Sequence, residues 1–448
     1  MGATTEIAEW VVNTKYSDFD SELVEHTKVL CLDGLGMTAG AVNMTQSRAI
    51  IDYVKECAAP PEAGVIAAAF RTSVEYAALA NGSIAHTSEL EADTFPEGTY
   101  MVSVFPTAFA LGEKLHLSGK DVIMANIIGY EVTARLALAC LPMFDRGFTP
   151  APLTGAVGCA AMAAKMMNLG VHETTMALSL ATSQAGGLLR QTGTGAHLYE
   201  AGLAGRNGIS AAMMAKHGLT GQPDIIEGFK GLCYATSGVE EPDLQLGTYR
   251  IRDVQMKWYP CCFLEQQSIR TVEEMIREHA IAAEKVESVI VDVYPQFLIA
   301  VKYQQPANED QARFSLPHSI AACFLDSKVF LDSFSDQKVK DPEFHAFREK
   351  VKITVNQDFT LPPGAGLAGH EIPITIKLKD GTEYRKVAPA MEAETTHSAE
   401  LIRDKFSECT RRGGFSRDKA DRVAKMILSL DEVRDISDLM DLLTFPEK

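Results

Sequence analysis

Residues 286–293 have the sequence VESVIVDV, and this stretch decides the fold class because its β-branched residues alternate with polar ones. Such alternation is typical of a β-strand with one buried face. Residues 351–356 and 372–378 share the pattern, and Asp380-Gly381 predicts a hairpin turn into a strand at 383–387. The segments between them have apolar residues at helical spacing, at 266–280, 317–325 and 342–350. We therefore predict an α+β domain.

The chain on both sides of this domain is predicted to be helical. Residues 19–40 carry apolar side chains at helical spacing, and Asp20 or Ser21 is a suitable N-cap. Because helices return after the α+β segment, we predict a mostly α fold with an inserted α+β domain. The helical domain would be discontinuous, with residues 1–260 and 396–448, and residues 261–395 would form a lid. Further predicted helices lie at 50–57, 65–79, 102–115, 122–141, 155–169, 173–189, 399–412, 416–430 and 436–443.

The composition excludes several classes of partner. The chain has 448 residues, of which 46% are hydrophobic and 23% charged, as in ordinary globular proteins. Its net charge of −17 argues against nucleic acids and anionic membranes as partners. We see no secretory signal, no uninterrupted apolar run of the roughly 18–20 residues that a membrane span needs, and no zinc-type spacing among nine cysteines. These features predict a cytoplasmic protein with reduced thiols.

A candidate site lies at residues 80–94, which have the sequence ANGSIAHTSELEADT. Asn81-Gly82 predicts a turn, and one histidine and three carboxylates then follow within eight residues. A loop rich in titratable groups on an apolar scaffold is typical of a functional site. The alternative is a solvated acidic turn whose carboxylates cap helices. No second ligand with definite spacing accompanies His86, and the chain lacks nucleotide-binding and nucleophile-elbow motifs, so no metal or cofactor is predicted.

Five segments in the same order as in a known family extend this interpretation. The segments are the Asn-Gly-x3-His-x2-acid-x-acid loop at 81–91, IGYEV at 128–132, KWYPCC at 257–262, ARFSLP at 312–317 and the tail at 429–443. With these segments the chain resembles the MmgE/PrpD family from end to end. The family contains dehydratases, decarboxylases and epimerases of small carboxylic acids. The resemblance implies a homodimer of two-domain subunits, with a site between the domains that needs neither metal nor organic cofactor.

The family's site residues are only partly kept. Its first loop acid falls on Glu89, with Asp93 and Thr94 near its later polar positions, and its lysine at the domain junction is Lys257. Elsewhere a different residue type stands at the family position. Histidine is replaced at Thr99, Thr149, Glu200 and Gln266, lysine at His197, arginine at Phe263 and tyrosine at His318. Since polycarboxylate sites need several cationic donors, we predict a substrate less anionic than citrate-type acids.

The chemistry that the family shares moves a proton at carbon next to a carboxylate, and it needs a base, an acid and a charge-stabilising cation. We predict His197 and His318 as the acid–base pair, because imidazole titrates near neutral pH. Lys257 would hold negative charge, and Glu89 would orient His86 or act as the base. Substrate contacts are predicted for His86, Asp93, Thr94, Thr99, Thr149, Glu200 and Tyr259.

The predicted function is a cofactor-independent lyase, either a dehydratase or a decarboxylase, that acts on a small organic acid. Two alternatives stay open. The first is an epimerase or isomerase of a small amino or imino acid, which would use the same acid–base pair. The second is a catalytically inactive homologue that binds a ligand or serves as a scaffold.

Overall fold

The computed structural model describes residues 2–96, 98, 100–359, 369–390 and 399–446. The chain divides into two compact units. A helical unit contains residues 1–190, 195–256 and 395–448, and a mixed unit contains residues 191–194 and 257–394. The division falls between residues 256 and 257, so Lys257 and Tyr259 belong to the mixed unit rather than to the helical part for which they were predicted.

The helical unit contains thirteen of the helices and a short hairpin within the described residues. Its elements are α1 (Ala3–Asn13), α2 (Ser21–Ala41), α3 (Thr45–Glu56), β1 (Ala63–Val65), β2 (Phe70–Thr72), α4 (Val74–Thr87), α5 (Met101–Leu115), α6 (Gly119–Ala139), α7 (Pro150–Met166), α8 (Val171–Thr182), α9 (Gly195–Lys216) and α10 (Leu232–Ser237), followed after the mixed unit by α17 (Ala399–Arg412), α18 (Arg417–Leu428) and α19 (Ser437–Thr444).

The mixed unit contains α11 (Gln266–His279), β3 (Val286–Val293), α12 (Phe297–Ala300), α13 (Glu309–Ala312), α14 (Leu316–Leu325), α15 (Asp336–Lys340), α16 (Pro342–Arg348), β4 (Val351–Val355), β5 (Ile372–Leu378) and β6 (Glu383–Ala388). The four strands form one sheet in the order β4-β3-β5-β6. Strand β3 is parallel to β4 and antiparallel to β5, and β5 and β6 form the hairpin predicted from Asp380-Gly381. The predicted fold class, mostly α with an inserted α+β part, is confirmed.

Local capping explains why two predicted helices begin where they do. The Asp20 carboxylate accepts a hydrogen bond from the Leu23 N–H at 2.8 Å, so Asp20 is the N-cap of α2. Ser118 caps α6 in a capping box with Asp121, whose carboxylate accepts from the Ser118 N–H. Both signals are local in sequence, and the pattern predicted the Asp20 cap of α2.

Three predictions for the helical unit were wrong in detail. Residues 65–79 are not one helix, because β1 and β2 pair as a hairpin there. Asn81-Gly82 is not a turn but lies inside α4, where the Asn81 amide bonds the Ile66 N–H and the Gly64 carbonyl. The whole of α9 was missed because its glycines made the segment resemble a loop. Since Gly202, Gly205 and Gly208 are buried against other helices, close packing outweighs their weak helix propensity.

The C-terminal helices complete the helical unit. A Cβ at Gly40 in α2 would lie 3.1 Å from the Cα of Cys409 in α17, so these two helices pack with their backbones close together. Buried Lys405 in α17 pairs with buried Asp33 in α2 at 2.7 Å. Helix α17 therefore contributes a close backbone contact and a buried ion pair to the helical unit.

One helix among the described residues, α6, is long and apolar enough to cross a membrane by length and composition. In the structure, 83% of its most apolar 18-residue window is buried inside the protein. It also carries Glu131 and Arg135, which pair with each other at 3.1 Å. These are the properties of a core helix.

Candidate functional site

His86 and two of the loop acids meet at the C-terminal end of α4. His86 lies in the last turn of α4, and Glu89 follows with a φ of +49°, which turns its side chain back toward the helix end. The His86 Nε2 is 3.4 Å from Glu89 Oε1 and 3.9 Å from Glu91 Oε1. All three side chains are buried. The loop acids are therefore buried partners of an imidazole, and the alternative of a solvated acidic turn is wrong.

His197 joins this group from the first turn of α9. Its Nε2 lies 3.9 Å from Glu89 Oε1, and its ring centre lies 4.6 Å from that of His86. The approach depends on glycine, because a Cβ at Gly82 would lie 2.9 Å from the Gly202 Cα. A Cβ at Gly202 would in turn clash with the Leu79 carbonyl oxygen. We call His86, Glu89 and His197 the imidazole–carboxylate cluster.

Glu200 lies one helical turn beyond His197. Its Oε2 is 4.0 Å from His197 Nδ1, and its Oε1 accepts a hydrogen bond from the Leu188 N–H at 3.4 Å. Burial raises the pKa of the Glu200 carboxyl from 4.5 to about 7, and the Leu188 N–H opposes this shift only in part. A carboxyl group that titrates near neutral pH beside an imidazole is suited to giving or taking a proton.

The remaining predicted residues of the helical unit have separate surroundings. Asp93 exchanges two backbone hydrogen bonds with Gln255, at 2.7 and 2.8 Å. The Thr94 hydroxyl hydrogen bonds to the Tyr130 hydroxyl. Thr149 is the N-cap residue of α7, although its side chain makes no capping bond. Thr99 lies outside the described residues.

The predicted residues of the mixed unit have surroundings of their own. Lys257 is buried. The Tyr259 hydroxyl donates to Glu273 Oε2 at 2.6 Å. Burial raises the pKa of the Tyr259 hydroxyl. His318 is fully buried, and burial lowers its pKa to about 4.

Both ring nitrogens of His318 contact protein groups. Nε2 lies 2.9 Å from the Ser333 carbonyl oxygen, and an Arg348 nitrogen lies 3.2 Å from Nδ1. Since the carbonyl only accepts and arginine only donates, these contacts fit a neutral imidazole with its proton on Nε2. We therefore leave His318 out of the mechanism proposed below.

Two supports of the loop were not recognised in the sequence. Lys405 of α17 donates to the Leu90 carbonyl at 2.9 Å, between Glu89 and Glu91. Arg250 donates to the Phe95 carbonyl at 2.8 Å. The position of Lys405 on the apolar face of an amphipathic helix could have been noticed in the sequence. Its partner, the Leu90 carbonyl more than 300 positions earlier, could not.

The cluster also has a donor set that a metal ion could use. One nitrogen of each histidine and one oxygen of Glu89 lie within 4.8 Å of one another. Two imidazoles and a carboxylate suit Zn²⁺ or Fe²⁺. The sequence predicted no metal because the second histidine, His197, lies on a helix far along the chain. Activity without a metal stays a prediction.

The raised pKa of Glu200 has a consequence for stability. Below pH 4.5 the carboxyl is protonated in both the folded and the unfolded state. As pH rises to about 7, the unfolded state loses this proton while the folded state keeps it, so the Glu200 contribution lowers the free energy of unfolding. We expect Glu200→Gln to remove this loss and to raise the free energy of unfolding by about 2–3 kcal/mol at pH 8, with little effect at pH 4.5.

Urea unfolding at the two pH values measures this difference. The matched control is Glu241→Gln, since Glu241 is an exposed glutamate of the same unit. An equal effect of Glu200→Gln at both pH values would show that the charge of Glu200 is not involved.

Comparisons with known proteins identify similar sequences over nearly the whole chain. The family model of the MmgE/PrpD N-terminal domain matches residues 5–245, and that of the MmgE/PrpD C-terminal domain matches residues 259–432. The chain is similar to cis-aconitate decarboxylase of Mus musculus, with 26% identity over 466 residues that cover 99% of this chain and 93% of that protein. Cis-aconitate decarboxylase of Aspergillus terreus is 25% identical, covering 100% and 97%. The Homo sapiens protein of that name is 26% identical, covering 83% and 79%.

Proposed function

The chain belongs to the MmgE/PrpD family, and we propose that it is a carboxy-lyase that releases CO2 from a small carboxylic acid. The observation that carries the proposal is the imidazole–carboxylate cluster, in which two histidines flank one glutamate in a buried position. The similarity to proteins named cis-aconitate decarboxylases over nearly the whole chain supports decarboxylation as the reaction.

The reaction needs a proton donor and a place for negative charge. The bond between the carboxylate and its carbon breaks, CO2 leaves, and the electron pair passes into an adjacent unsaturated group. A proton then returns to carbon. We assign this transfer to His197, because it contacts Glu89 on one ring nitrogen and faces Glu200 with the other. Glu89 would hold both imidazoles in orientation, and the charge-stabilising role of Lys257 stays the expectation from the family resemblance.

The charge of the surroundings supports a substrate of few negative charges. Glu89, Glu91 and Glu200 lie within 4.0 Å of an imidazole of the cluster. Three carboxyl groups around two imidazoles disfavour a third substrate carboxylate, since like charges in a buried site repel strongly. The proposed substrate is therefore a mono- or dicarboxylic acid. It includes the homodimer and the absence of any cofactor that the family resemblance implies.

The test is an assay of CO2 release from a panel of unsaturated mono-, di- and tricarboxylic acids in deuterated water. We expect CO2 together with one deuterium on carbon for an acid with at most two carboxylates. Deuterium exchange without CO2 would indicate an epimerase, and binding without either would indicate an inactive homologue. Preference for cis-aconitate would overturn the charge argument. Activity that is unchanged by chelators would support the absence of a metal cofactor. Light scattering during gel filtration would give the mass of the particle and so test the homodimer.

A further inference from the structure

A buried ion pair lies behind residues 88–92, which we call the acidic loop, and takes no part in the mechanism proposed above. The Lys405 Nζ in α17 is 2.7 Å from Asp33 Oδ1 in α2, and it donates to the Leu90 carbonyl at 2.9 Å. The Lys405 side chain is 5% exposed, and that of Asp33 is fully buried. Since apolar residues of similar volume often replace a buried ion pair without loss of stability, stability does not require these charges. The hydrogen bond to the Leu90 carbonyl is what an apolar side chain could not provide.

The backbone on both sides of Leu90 is held by side chains. Residues 88–92 follow the end of α4 and belong to no helix or strand. The Leu90 N–H donates to Ser88 Oγ at 3.3 Å, and this bond holds the peptide group that precedes Leu90. Lys405 holds the peptide group that follows Leu90, because it binds the carbonyl. The orientation of both peptide groups therefore depends on these two side chains.

These two peptide groups determine where the carboxylates of the acidic loop point. One group follows Glu89 and the other precedes Glu91, and the Oε1 atoms of these residues lie 3.4 and 3.9 Å from His86 Nε2. Glu89 has a φ of +49°, a conformation that residues other than glycine rarely adopt and that persists only where the surroundings hold it. Rotation of either peptide group would move a carboxylate away from the imidazole.

The ammonium group of Lys405 is itself held in place, although a lysine side chain is flexible by nature. Phe406, the next residue of α17, packs against Gly36 of α2, where a Cβ would lie 2.6 Å from a ring carbon of Phe406. Asp33 lies on α2 about one turn before Gly36, and its carboxylate pairs with the ammonium group. The two helices therefore fix the point from which the ammonium group reaches the acidic loop.

We propose that Lys405, oriented by Asp33, is a positioning residue for the acidic loop. It holds Glu89 and Glu91 where their carboxylates face His86. Its effect on the reaction rests on the proposed carboxy-lyase function, whereas its effect on the backbone of the loop does not. The C-terminal helix α17 thereby acts on the site through a backbone carbonyl of the loop.

The test uses the double variant Lys405→Met with Asp33→Leu, which replaces both charged groups by apolar side chains. We expect its melting temperature to stay within about 5 °C of that of the unmodified protein, because no unpaired charge is left buried. Hydrogen exchange followed by mass spectrometry should show the amides of residues 88–92 exchanging at least about tenfold faster. For the acid that the panel identifies, kcat should fall by about 100-fold, the effect of a displacement near 1 Å, while KM stays within about threefold.

The matched control removes another ion pair between α2 and the C-terminal part of the chain. Lys28 is a buried lysine of α2 that lies 2.9 Å from Asp431 Oδ1. Lys28→Met with Asp431→Leu should leave kcat and the exchange of residues 88–92 within about twofold, since this pair is independent of the loop. Lys405→Met with Asp33→Asn is the second test variant, because asparagine has the shape of aspartate and fits where leucine is too large.

Four outcomes decide the proposal. Unchanged exchange and unchanged kcat in a stable double variant would overturn the positioning role and leave the carboxy-lyase function standing. A lower kcat without faster exchange of the acidic loop would also overturn it, because Lys405 would then act by another route. An equal change in the control variant would overturn it as well. Faster exchange in a protein that releases no CO2 from any acid of the panel would keep the positioning of the loop and refute the lyase function.

Discussion

Replacing His197 with alanine is expected to lower kcat/KM for CO2 release by roughly 10²–10⁴-fold, the usual contribution of a positioned acid–base group. The ring of His197 lies 3.9 Å from Glu89 and 4.0 Å from Glu200, so the alanine variant loses the proton donor that stands between these two carboxyl groups. The loss should fall on kcat more than on KM, because proton transfer occurs in the transition state while substrate binding uses other groups.

The measurement is steady-state kinetics with the acid that the panel identifies, together with a thermal unfolding curve. His172→Ala is the matched control, since His172 is an exposed histidine on α8 and should leave both parameters within twofold. A His197→Ala protein that folds normally and keeps kcat/KM within a few-fold of the unmodified enzyme would remove His197 from the mechanism. His86 would then be the next candidate, because it contacts the same Glu89 oxygen.

Replacing Glu131 with alanine is expected to lower the free energy of unfolding by about 3–5 kcal/mol, the usual loss when one partner of a buried ion pair is removed. Glu131 is fully buried in α6. Its carboxylate accepts from Arg135 at 3.1 Å and from four successive backbone N–H groups of residues 247–250 at 2.6–3.2 Å. The variant would leave a buried guanidinium and four amides without this acceptor.

Urea unfolding measures this loss. Glu241→Ala is the control, because Glu241 is an exposed glutamate a few residues before the 247–250 segment. Arg250, the last of the four residues, also donates to the Phe95 carbonyl beside the acidic loop, so Glu131→Ala should reduce activity as well as stability. A change below 1 kcal/mol would mean that water replaces the carboxylate at these amides.

Local patterns predicted several elements correctly. Alternation at 286–293 and 372–378 located β3 and β5 at their observed bounds, and helical periodicity located α17 at 399–412. These stretches succeed because one face of each is buried and its period is visible over a few residues. The helix α9 failed the same test, because its buried face is made largely of glycine and alanine, which no periodicity of large apolar residues reveals.

The candidate site shows the same division. Residues 86–91 were recognised because the histidine and acids are neighbours in the chain. The pairing of His86 with His197 was not predictable, since it depends on α4 and α9 approaching through Gly82 and Gly202. The elevated pKa of Glu200 likewise depends on burial that only packing produces.

The sequence by itself determined the family, the fold class and the identity of most chemical groups, because motifs, strand alternation and caps act over a few residues. Only the tertiary structure decided which of these groups can react together. It joined His86, Glu89, His197 and Glu200, and it enclosed both nitrogens of His318 among protein groups. The physical reason is that proton transfer and pKa depend on distances and burial between helices far apart in the chain, which glycine-mediated packing sets.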